Sequence, residues 1–117
     1  MKTGVLATVL GLMTGMAWAD SPVVTHVSAS KSGGSWSFSV TVKHGDTGWD
    51  HYADGWGVYL EDGTELGYRV LHHPHVDEQP FTRSLSGVKV PQGVDTVVIV
   101  PRDSVHGTGE GFTVKLR

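Results

Sequence analysis

The chain contains no cysteine. That one absence removes disulfides, thiolate zinc sites, cysteine nucleophiles and thioether-linked haem. Methionine is confined to Met1, Met13 and Met16, so nothing beyond residue 16 offers a thioether. Copper(I), which prefers soft sulfur, is therefore poorly served. Positive charge is sparse, with 9 Lys and Arg against 12 Asp and Glu, and the basic residues form no cluster. Nucleic acids and anionic membrane surfaces bind to concentrated positive charge, so neither fits as a partner. A membrane-spanning run is missing as well. The one sustained apolar stretch, residues 5–16, is shorter than the roughly 20 residues a spanning helix needs.

That stretch has a different use. Lys2 precedes it, and Ala17-Trp18-Ala19 follows as a small-x-small cleavage site before Asp20. This is the layout of a cleavable secretory signal over residues 1–19, with a single working domain over 20–117. The expected location is the periplasm or the outside of the cell, with no transmembrane anchor once the signal is removed. The domain is long enough to hold a core without a covalent staple.

Beyond residue 19, Val, Thr, Ser and aromatic residues occur in short runs broken by Gly, Asp and Pro, which is the pattern of an all-β chain. The clearest period is Trp36, Phe38, Val40 and Val42 alternating with Ser35, Ser37, Ser39 and Thr41, so one face is buried and one polar. Further runs begin near Val23, Trp56, Leu66, Phe81, Val94 and Phe112. Asp62-Gly63 tolerates the positive φ of a tight hairpin. About seven strands in one small domain point to a β-sandwich of immunoglobulin or fibronectin type. Periodicity leaves a small barrel open as the alternative.

Antiparallel order then makes a spatial statement. If consecutive strands alternate in direction, the polar connections 44–55, 72–79 and 101–111 all fall at one pole. His44, His51, His72, His73, His75 and His106 lie in them, and His26 lies nearby. The same pole receives Asp46, Asp50, Asp54, Asp77, Glu78, Asp103 and Glu110. Imidazole and carboxylate are ligands for borderline divalent ions, so zinc or copper(II) is the expected metal. The candidate ligands are His44, His51, His73, His75, His106, Asp50 and Asp77.

Each candidate has a plainer reading. His44 continues the inward parity of the second strand and would cap the core. His51 would face solvent between Asp50 and Tyr52. His72 and His73 point to opposite faces of any regular strand, and Pro74 is what could bring His75 round. A hydrogen-bonded His–Asp network that only ties loops together competes with all of them. Trp49 and Tyr52 are expected to fold back over the core. Arg83, on the Phe81/Leu85 parity, needs a carboxylate, with Asp46, Asp54, Asp103 and Glu61 as candidates.

No catalytic constellation is legible. There is no G-x-S-x-G elbow, no H-E-x-x-H pair and no phosphate-binding glycine loop followed by a helix. Three segments carry a resemblance: Gly48-Trp49-Asp50-His51-Tyr52-Ala53-Asp54, then His73-Pro74-His75-Val76-Asp77-Glu78-Gln79-Pro80-Phe81-Thr82-Arg83, then Pro101-Arg102-Asp103-Ser104-Val105-His106-Gly107. They resemble a family of small exported bacterial proteins with no assigned activity, which implies an exported domain and nothing more specific. The expectation is thus a binding module, with a divalent metal as first ligand. A protein-interaction or carbohydrate-binding sandwich, in which the His/Asp cluster is structural, is the alternative.

Overall fold

The computed structural model describes residues 21–116; the expected signal sequence lies outside them. Among the described residues are eight strands and no helix: β1 (Val23–Ser32), β2 (Ser35–Lys43), β3 (Ala53–Tyr59), β4 (Glu65–Val70), β5 (Phe81–Val88), β6 (Thr96–Asp103), β7 (Gly107–Thr108) and β8 (Phe112–Lys115). They form two packed antiparallel sheets, ordered β1-β2-β5 and β4-β3-β6-β7, with β8 also pairing along β6. The all-β, two-sheet architecture is as the period-two runs require.

Two rows of inward side chains build the core. Phe38, Val40 and Val42 of β2 come from one sheet, and Val97, Ile99 and Pro101 of β6 from the other. Trp56 and Val58 of β3 lie buried with them. Each fully buried apolar side chain stabilises the fold by about 1.5–3 kcal/mol relative to exposure, so this double row is what joins the sheets.

β4 turns its aromatic outward. A Cβ on Gly67 would sit 3.0 Å from Leu85 of β5, so Gly67 faces the opposite sheet. Tyr68, of the other parity, lies over Gly55 on the outer face, and Tyr59 lies over Gly57. Arg69, inward like Gly67, donates from Nη1 to the Ser84 carbonyl at 2.8 Å and so crosses between the sheets.

One departure from the sequence-based expectation matters for function. β6 does not stop at Val100. It continues through Pro101 to Asp103, with Pro101 opposite Trp56 and Asp103 opposite Ala53. Proline removes a donor but not an acceptor, and here the Pro101 carbonyl accepts from Gly109 N–H at 2.8 Å. Asp103 is therefore the last residue of a core strand rather than part of a loop.

The register sets the pole. Val23 pairs with Lys43, Phe81 with Val42, Val70 with Gly55, and Asp103 with Ala53. The connections 44–52, 71–80 and 104–106 consequently meet at one end of the sandwich.

Candidate metal centre

Both inner rows end in a polar residue at this pole. The β2 row runs Phe38, Val40, Val42, His44; the β6 row runs Val97, Ile99, Pro101, Asp103. His44 and Asp103 are both buried, and they meet across the two sheets with His44 Nε2 3.1 Å from Asp103 Oδ2.

The connection from β2 to β3 brings the third member. Thr47 N–H donates to the His51 carbonyl at 3.0 Å and His51 N–H to the Gly48 carbonyl at 3.2 Å, a tight reversal. Gly48 has φ of 140°, a conformation that side chains with a Cβ rarely adopt. The reversal sets His51 Nε2 3.0 Å from Asp103 Oδ2. His106 Nδ1 lies 3.0 Å from the same oxygen. Three imidazole nitrogens thus gather around one carboxylate oxygen. The other oxygen, Oδ1, accepts from the N–H groups of Val105, at 3.0 Å, and His106.

Burial pushes the Asp103 carboxyl up. The ring and backbone donors of His106, the ring of His51 and the Val105 N–H outweigh that and hold it well below the usual carboxylate range. Asp103 is an anion kept in the interior by its donors.

Asp46 plays a different part. Its Oδ1 accepts from His44 Nδ1 at 2.5 Å and from Ala53 N–H at 3.0 Å, and its Oδ2 accepts from His75 N–H at 2.7 Å. Gln79 joins the same loops: Oε1 accepts from His44 N–H at 3.0 Å, and Nε2 donates to the His75 carbonyl at 2.8 Å. His44 thus lies between two buried carboxylates, with Asp46 at Nδ1 and Asp103 at Nε2. A carboxylate holding the far nitrogen of a ligating histidine is a recurrent feature of metal sites.

His44, His51 and Asp103 each offer one ligand atom, and these atoms lie within 4.8 Å of one another. Donors around a tetrahedral zinc at about 2.0–2.1 Å stand roughly 3.3 Å apart. The 3.0 and 3.1 Å separations from Asp103 Oδ2 to His51 and His44 are close to that. The cluster can in principle coordinate a divalent ion. His44 and Asp103 side chains have no exposure, while His51 is 16% and His106 36% exposed, so solvent reaches the group from one side.

The remaining sequence candidates lie outside this group. His73 is exposed and edge-on to Trp49 at 6.1 Å. The His75 ring stacks on Phe81 at 3.9 Å, and Arg83 Nη2 donates to its Nε2 at 2.9 Å; only its backbone reaches Asp46. Asp50 and Asp77 are exposed. Arg83 finds Glu78, at 3.4 Å, rather than any of the four expected carboxylates. Asp54 is taken by Arg102 at 2.5 Å. Trp49 is no lid: it stands 66% exposed, edge-on to Tyr52. The members missed as site residues, Asp46 and Asp103, were placed at this pole as carboxylates. Parity would have singled out Asp103 had β6 been carried through Pro101.

No helix among the described residues is long and apolar enough to cross a membrane. No family model matches the chain, and no solved structure matches it. A protein of Halomicrobium mukohataei bearing the name "Putative lipoprotein" is 42% identical over 90 residues, which is 77% of this chain. The chain spans 44% of that protein's length.

Proposed function

We propose that this protein is a small exported binding module that holds one divalent ion, zinc or copper(II), at the pole of an immunoglobulin- or fibronectin-like sandwich. The ligands in this reading are His44 Nε2, His51 Nε2 and Asp103 Oδ2, and Asp46 fixes the His44 ring. The observation that carries it is the gathering of ligand atoms from His44, His51 and Asp103 within 4.8 Å of one another, with Asp46 holding the far nitrogen of His44. Zinc and copper(II) suit nitrogen-rich sites with one carboxylate; calcium prefers a shell of oxygens. Export is supported by the layout of residues 1–19 and by the name of the similar protein from Halomicrobium mukohataei. The sandwich class is supported by the three-stranded sheet packed on the larger one.

Calorimetric titration with zinc(II) and copper(II) tests the reading. One saturable site is expected, lost in His51→Ala and retained in His75→Ala. Absence of saturable binding at micromolar metal would leave a structural His–Asp network in its place.

One observation favours a second reading, a protein-interaction module. Among the described residues, the large apolar side chains that stand exposed, Val23, Trp49, Val70, Val76 and Val105, all belong to strand ends or connections of this same pole. Such a concentration is uncommon on a surface with no partner.

A further inference from the structure

We infer that the metal position is open on its solvent side and takes an exogenous ligand, a water molecule or a small monoanion, with His106 positioning Asp103 instead of ligating. The inference rests on the metal reading above.

The first ground is coordination number. The donors lying within 4.8 Å of one another are those of His44, His51 and Asp103. Zinc and copper(II) take at least four, and three protein ligands with a free position is the arrangement of sites that bind external molecules. The second is how His106 is engaged. Its backbone N–H reaches Asp103 Oδ1, and its ring Nδ1 lies 3.0 Å from Oδ2. Backbone and ring together clamp one carboxylate, which is the work of an outer-shell donor that orients a ligand. Gly107, with φ of 80°, then turns the chain into β7 and holds that clamp in register.

The third ground is access. His44 and Asp103 are closed to solvent while His51 and His106 are not, so an incoming molecule arrives on the His51/His106 side. The fourth is charge. A divalent ion exceeds Asp103 by one positive charge, and Asp46 is already shared among three N–H donors. A water or a monoanion suits that balance. Exposed Asp50, Asp77 and Glu78 on the surrounding connections oppose larger polyanions.

The test is an azide titration of the copper(II)-loaded protein, followed by visible absorption and electron paramagnetic resonance, with bound copper quantified separately. A saturable azide-to-copper band is expected in the wild type. His106→Asn, which keeps a side-chain N–H, is expected to retain copper and azide binding. His106→Ala should lose roughly 10–100-fold in copper affinity, the usual effect of removing an outer-shell partner, yet still bind azide once loaded. A wild-type copper site indifferent to azide, with a response appearing only in His106→Ala, would show that His106 fills the fourth position and would overturn the inference alone. Failure of the wild type to take up copper or zinc would overturn it together with the reading beneath it.

Discussion

At the scale of single residues, Asp103 concentrates the largest consequences. Asp103→Ala would leave three imidazoles and two backbone N–H groups without their shared acceptor. Breaking a buried charged network by removing one partner costs roughly 3–5 kcal/mol. Urea denaturation of the metal-free protein should show a loss of that order. Asp103→Asn should lose less, because its carbonyl still accepts the Val105 and His106 N–H groups. His75 gives a separate prediction. Burial lowers the affinity of its imidazole for a proton, and the neighbouring Arg83 lowers it further, while Glu78 and Asp46 oppose and His73 adds slightly. Its folded value thus lies below the unfolded one of about 6.5. The unfolded chain then binds the proton more readily, so stability falls as pH drops from about 6.5 through the lowered folded value. His75→Phe retains a ring against Phe81 and removes the proton site. Its denaturation midpoint should vary less than that of the wild type across this window.

At the scale of elements, β3 is the strand whose sequence most needs its neighbours to be understood. Alanine normally serves a strand better than glycine by about 0.5–1 kcal/mol. At Gly55 the sign reverses, because a Cβ would stand 2.2 Å from the Tyr68 hydroxyl and 2.6–2.7 Å from its ring atoms. Gly55→Ala should destabilise by about 1–3 kcal/mol, as overpacking does, and Tyr68→Ala in the same chain should remove most of that penalty. Thermal melts of the two single variants and the double variant measure the coupling. The same elements show what could be read in advance. The alternation in β2 was plain, and extending it by one step gave His44 its inward placement. The common pole also followed from alternating strand direction, because short connections leave the chain little choice. Asp103 was hidden by Pro101, which reads as a strand ending until Trp56 is seen opposite it. The orientation of β4 was hidden for another reason: Leu66, Tyr68 and Val70 share one parity, yet Leu66 packs against the core while Tyr68 lies over Gly55 and Val70 stands exposed, because the β3/β4 register shifts beside Leu66. The turn Thr47–His51 is a local matter, yet its effect on His51 appears only when Asp103 is in place.

At the scale of the whole molecule, a ligand that binds only the folded state stabilises it by mass action. Metal at a hundredfold excess over its dissociation constant contributes about 2.7 kcal/mol. For a domain of this size that corresponds to a rise in melting temperature of about 10–20 °C, which calorimetry with and without zinc should detect and His51→Ala should abolish. The position of the site makes the gain directional. His44 belongs to the end of one sheet and Asp103 to the end of the other, so an ion shared by them acts as a clasp between layers in a chain that has no sulfur to cross-link them. Amides beside the clasp should exchange with deuterium more slowly once it is closed, while those at the Asp62-Gly63 hairpin keep their pace. Loss of the ion would then unzip the sandwich from the histidine end, so that in the cell the metal supply would govern how long this domain survives proteolysis.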